Sequence, residues 1–115
     1  MIASFISPFL LRIFMLHLNK ENFEKETSEL VVVDFFADWC MPCRMMAPLF
    51  EKLDKEFEGK MKFGKVDTQA EQELAAMHNI TGIPCLIVFK DSKEVDRIVG
   101  LMPEDALREK LKSFL

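Results

Sequence analysis

The chain has 115 residues, half of them apolar and eleven of them phenylalanine, which suits a single domain with a real hydrophobic core and leaves no room for two. The net charge is −4, with 19 acidic against 15 basic residues and no Lys/Arg cluster. Nucleic acid is therefore not an expected partner, because phosphate binding draws on clustered cations.

Residues 1–14, MIASFISPFLLRIF, carry a single charge, Arg12, and form an apolar extension. A membrane-crossing helix needs about 20 apolar residues. Pro8 and Arg12 interrupt this run, so no crossing is expected. A secretory signal would start basic and end at a small-x-small site, and this segment does neither. Three readings of it stay open: translation from Met15, a short anchor or degenerate signal, and a helix packed on the domain. The domain itself is expected over residues 15–115.

Met15 to Leu18 reads as a short strand, and Asn19 can cap a helix from Lys20 to about Thr27. Leu30 to Ala37, LVVVDFFA, is a nearly continuous apolar run of the kind buried on both faces of a sheet. A helix follows from about Met41 to Glu58, with Met46, Leu49, Phe50, Leu53 and Phe57 on one face. Pro48 inside it predicts a kink, and Gly59 a stop. Met61 to Val66 is a second strand. Thr68 and Glu71 have capping-box spacing and predict a helix running to about His78. Pro84 to Phe89 is another apolar strand, Asp91 and Ser92 supply a turn, and Glu94 to Val99 returns as a hairpin. Pro103 opens a last helix at its first position, with Leu107, Leu111 and Phe114 facing inward. The order βαβαβαββα is that of an α/β fold, a mixed central sheet covered by helices on both faces.

The three cysteines do not form the even-numbered framework of a small secreted scaffold. Cys40 and Cys43 lie in Trp39-Cys40-Met41-Pro42-Cys43, after a buried strand and at the start of a helix. Two intervening residues in a first helical turn bring the sulfurs close enough to bond. Unpaired N–H groups and the positive end of the helix favour a thiolate at Cys40. Cys43, one turn further in, is expected to be the more buried of the two. Pro42 costs little where an N–H has no partner anyway. The competing reading is half of a zinc site, which needs four ligands. Cys85, His78 and His17 provide no second paired motif, so redox chemistry without cofactor or metal is expected. Asp34 interrupts the apolar run. A buried carboxylate there would have a raised pKa, whereas a side chain reaching solvent at the end of the sheet would not.

The segments VVVDFFADWCMPCRMMAPLFEKL, GKVDT, ITGIPCLIVFK and VGL resemble the thioredoxin family in order and spacing, over residues 15–115. The resemblance implies the thioredoxin fold and a protein-disulfide reductase working by dithiol–disulfide exchange. It also implies disulfide-bearing protein substrates, a thioredoxin reductase or equivalent as partner, and a cytoplasmic monomer. Ile83–Pro84 is then the cis-proline loop facing the cysteines, with the backbone at Ile83 pairing with the substrate chain. Asp34 manages the proton of the second cysteine. Trp39 presents an apolar surface beside the thiols, and Val99 and Gly100 close the groove. A lysine that accompanies the aspartate in relatives is sought at Phe63, which is not lysine. Met41-Pro42 replaces the family's usual Gly-Pro, leaving the reduction potential open. Cys85 stands where Thr is common, as a buried small hydrophobe or a third thiol near the site, and strand alternation favours the first. The rival readings are an exported or membrane-anchored disulfide oxidase or isomerase held by residues 1–14, and a metal-binding or interaction module.

Overall fold

The LVVVDFFA run becomes β2 (Val31–Phe36), in which every residue from Val31 to Phe35 is fully buried. In the computed structural model, which describes residues 15–115, β2 is the middle of a five-stranded sheet. β3 (Lys62–Asp67) lies parallel to it on one side and β4 (Cys85–Lys90) antiparallel on the other. β1 (Leu16–His17) adds a parallel edge to β3, and β5 (Lys93–Val99) an antiparallel edge to β4. The strand order is β1-β3-β2-β4-β5. The readings made for residues 1–14 lie outside the described residues.

Strand alternation divides the core in two. On one face Val32, Phe63, Leu86 and Val88 pack against α2 (Met41–Glu56) through Met46, Phe50 and Leu53, and against α4 (Glu104–Lys112) through Leu107 and Leu111. On the other, Val31, Val33, Phe35, Ile87 and Phe89 pack against Phe23 of α1 (Phe23–Glu26) and Leu74 of α3 (Gln72–Met77). Arg108 of α4 joins the two helices of the first face by an ion pair to Glu56 at 2.8 Å, and pairs within its own helix with Glu104 at 2.6 Å. α2 continues through Pro48, whose missing N–H denies the Arg44 carbonyl its helical partner.

Three local expectations are corrected. The Asn19 side chain does accept the Glu21 and Asn22 N–H groups, at 3.0 and 2.9 Å, but these close a turn, and the α-helix is confined to Phe23–Glu26. Thr68 and Glu71 form no capping box. The Asp67 carboxylate takes the Gln69 N–H at 2.9 Å, and the Thr68 hydroxyl donates to the Phe36 carbonyl at 3.0 Å, so the helix starts only at Gln72. A short acidic side chain ending the strand has captured the backbone donors first. Pro103 stands one position before the last helix, because its ψ of 148° is extended. Its carbonyl accepts the Leu107 N–H at 2.9 Å.

Candidate active site: a disulfide at a helix N-terminus

The chain leaves β2 at Phe36 and turns into α2 at Met41, which places Cys40 at the N-cap and Cys43 in the first turn. The two cysteines form a disulfide with Cα atoms 5.2 Å apart. The Cys43 N–H donates to the Cys40 sulfur at 3.2 Å, so the sulfur occupies the place of a capping oxygen. After reduction the same donor and the positive end of the helix can stabilise a thiolate at Cys40. Pro42 sits in the first turn, where no hydrogen bond is lost. The expected contrast in exposure between the cysteines is not found: Cys40 is 5% exposed and Cys43 3%. The disulfide tucks Cys40 against Ala37 and Ile83, with its sulfur 3.8 Å from the Ile83 carbonyl oxygen.

Ile83–Pro84 is a cis peptide facing the disulfide. The Gly100 N–H donates to the Pro84 carbonyl at 2.8 Å, and Gly100 has a φ of 89°, open to glycine at little cost. Val99 is thereby held beside the loop, so close that a Cβ on Gly82 would meet it at 3.1 Å. Trp39, 69% exposed, lines a groove of about 230 Å³ with Thr68, Ile80, Thr81, Gly82 and Ile83. Met41 is exposed at the helix start. The structure thus gathers Cys40, Cys43, Ile83, Pro84, Val99 and Gly100 at one end of the sheet, with Trp39 and Met41 at their rim. Thr68, Ile80 and Thr81 were not foreseen. They arrive from α3's flanking loops, and no sequence spacing links them to the cysteines.

Asp34 alternates with Val32 and Phe36 on the face of β2 covered by α2. Phe36 packs against the disulfide cluster, so the carboxylate lies between the core and the site. It is fully buried, and neither oxygen has a hydrogen-bond partner. The solvent-reaching alternative is excluded. Desolvation pushes its pKa up to about 7, against an opposing pull from Lys65. The lysine sought at Phe63 is in fact Lys65. Lys65 is the register partner of Asp34, whereas Phe63 pairs with Val32 and stacks at 4.9 Å from Phe50. Alternation puts both β3 residues on this face, and only the register decides which one meets Asp34. The Lys65 ammonium lies 4.5 Å from the Phe36 ring centroid, a cation–π contact that holds it beside the site.

A family model of thioredoxin matches residues 14–113. The chain belongs to the thioredoxin family. Thioredoxin of Bacillus subtilis strain 168 is 43% identical over 96 residues, covering 83% of this chain and 92% of that one. Thioredoxin of Staphylococcus aureus strain Mu50 is 43% identical over 91 residues, covering 79% and 88%. Among solved structures, a mutant thioredoxin of Halobacterium salinarum NRC-1 superposes with a TM-score of 0.79 at 34% identity, covering 86% of this chain and 88% of that one. With its Cys40–Cys43 pair, this member of the thioredoxin family is a thiol–disulfide oxidoreductase, a reductase of protein disulfides. Disulfide-bearing proteins and a thioredoxin reductase are the partners that the family implies.

Cys85, the free cysteine, is buried on the opposite face of the sheet with Ile87 and Phe89, and burial pushes its thiol pKa up. It is the small hydrophobe that alternation indicated. Among the described residues, no three His, Cys, Asp or Glu side chains are grouped to hold a metal ion, and no helix is long and apolar enough to cross a membrane.

Proposed function

We propose that Cys40 is the attacking thiol and Cys43 the resolving thiol in this reduction. The observation that carries the assignment is the Cys40 sulfur at the N-cap, receiving the Cys43 N–H. The Cys40 thiolate attacks one sulfur of the substrate disulfide; that S–S bond breaks and the other substrate sulfur leaves as a thiolate. Asp34, in its ionised form, takes the proton of Cys43. The Cys43 thiolate then attacks the Cys40 sulfur and expels the second substrate sulfur, which collects a proton. The substrate has gained two electrons and Cys40–Cys43 is oxidised, to be reset by thioredoxin reductase. A carboxyl with a pKa of about 7 suits this work, since it can both hold and release a proton near neutrality. The backbone at Ile83 and Pro84 pairs with the substrate chain, and Trp39, Met41, Pro42, Val99 and Gly100 flank it. Residues 15–115 form the working domain. The protein acts as a monomer in the cytoplasm, where thiols are kept reduced.

Substitution of each cysteine tests the assignment. Cys40→Ser should abolish reduction of a protein disulfide such as that of insulin. Cys43→Ser should still attack, fail to resolve, and accumulate substrate adducts that dithiothreitol dissolves. Adducts on Cys40→Ser and none on Cys43→Ser would reverse the roles.

A further inference from the structure

Large apolar side chains left exposed are distributed unevenly. Trp39, Met41, Met45, Val99 and Leu101, each at least 47% exposed, border the disulfide in sequence or across the sheet end, while Met77, Val95 and Leu115 lie elsewhere. Met41 and Met45 do not line the groove beside Trp39. They stand one turn apart on α2, and Pro48, also exposed, continues the row by another turn. Helical side chains lean toward the N-terminus, so Met45 leans toward Met41 and the disulfide.

A helix that packs on a core normally turns a polar face outward. The inward face of α2 is already filled by Cys43, Met46, Phe50 and Leu53, so the core makes no use of this row. Arg44 borders the row, and Lys52, paired with Glu104 at 2.8 Å, ends it. From the helix start beside the disulfide to Lys52, the outer face of α2 therefore carries an apolar strip, the row of Met41, Met45 and Pro48, flanked by Arg44 and Glu51.

We propose that Met45, with Met41 and Pro48, determines specificity by receiving an apolar side chain close to the attacked cysteine of the protein substrate. Resting on the reading of Cys40 as the attacking sulfur, the assignment follows from reach. Met45 and Pro48 stand five and eight residues beyond Cys40, about 8 and 12 Å along the helix, which about two to four extended substrate residues cover. Methionine is unbranched and polarizable, so the strip accepts apolar side chains of various shapes and selects a class of neighbour rather than one sequence.

The test compares two disulfide peptides that differ only in having Leu or Gln two residues from the cysteine. They are reduced by the full chain and by Met45→Gln and Met77→Gln, and each rate is normalised to that of a small aromatic disulfide too short to reach Met45. The wild type should prefer the Leu peptide by about tenfold in kcat/KM, mainly through KM. Met45→Gln should lower that preference to about threefold or less. Met77→Gln, exposed but outside the strip, should keep it. No preference in the wild type, or an undiminished preference in Met45→Gln, would overturn the proposal. An unchanged peptide ratio with a raised KM for thioredoxin reductase would give the strip to the reductase instead, and a self-association lost in Met45→Gln would give it to a second copy. If Cys40→Ser still reduces the small disulfide, the reading of Cys40 falls, and this proposal with it.

Discussion

Asp34 and His78 are desolvated titratable side chains on opposite faces of the central sheet, and the two are treated differently. Asp34, on the face covered by α2, is fully buried with no hydrogen bond to either oxygen. His78, at the C-terminus of α3 on the other face, lies among the rings of Phe23, Phe35 and Phe89, with centroids 4.8, 5.8 and 5.4 Å away. Burial favours the neutral form of both, raising Asp34 to about 7 and lowering His78. His78 is partly exposed, and its segment is fastened: Arg97 donates to the His78 carbonyl at 2.8 Å and is itself paired with Glu94 at 2.7 Å. Desolvation alone therefore does not mark a reactive group. What sets Asp34 apart is that nothing satisfies its oxygens and that it shares a strand face with Phe36, which packs against the disulfide.

The two groups act on stability in opposite directions as the pH changes. The folded pKa of Asp34 exceeds its ordinary 3.8, so its contribution is fully present below pH 4 and is lost as the pH rises to about 7. The folded pKa of His78 is below its ordinary 6.5, so stability is lost as the pH falls through 6.5. Asp34→Asn should give the largest effect. It should stabilise the fold by about 2 kcal/mol at pH 8, the net of roughly 4 kcal/mol of relieved ionisation and the cost of an unpaired buried amide. Near pH 4 in urea melts the gain should turn into a loss of about 1–2 kcal/mol, because little ionisation is left to relieve while the cost of the amide remains. Release of the mixed disulfide should slow and lose its pH dependence near 7, and an equal gain at both pH values would break the comparison. Lys65→Met comes next. Removing the cation that opposes desolvation should raise the Asp34 pKa further, moving the pH midpoint of resolution to the alkaline side. An unmoved midpoint would show that Lys65 does not reach Asp34 electrically. The smallest effect belongs to His78→Phe, which completes the ring cluster without a titratable group. It should stabilise the fold only below about pH 6.5 and leave turnover at pH 7 unchanged. A loss of turnover there would give the second face a part in the reaction.

The element order and the redox pair were legible because they depend on local patterns. An unbroken apolar run specifies a doubly buried strand, and two cysteines between such a strand and a helix specify the site. The cis peptide at Pro84 was legible through resemblance alone. The partner of Asp34 was not legible, since Phe63 and Lys65 share a face of β3 and a two-residue choice of register separates them. The capping role given to Thr68 failed because the Glu71 N–H goes to the Asp67 carbonyl at 2.8 Å while the Asp67 carboxylate takes the Gln69 N–H, a contest between neighbours that spacing does not decide. The groove beside Trp39 is assembled from β3's exit and the loop before Ile83, and exists only once the chain has folded.

The proposed proton transfer requires an ionised Asp34 that is basic enough to take and hold the Cys43 proton, and so a carboxyl whose pKa lies near neutrality. Carbon-13 NMR of the aspartate side-chain carboxyls, titrated in the wild-type disulfide form and assigned by the signal absent from Asp34→Asn, measures this directly. The account gives a midpoint near pH 7 for Asp34. A midpoint near 4, the ordinary aspartate value, would contradict it, because that carboxylate would be too weak a base to hold the Cys43 proton near neutrality.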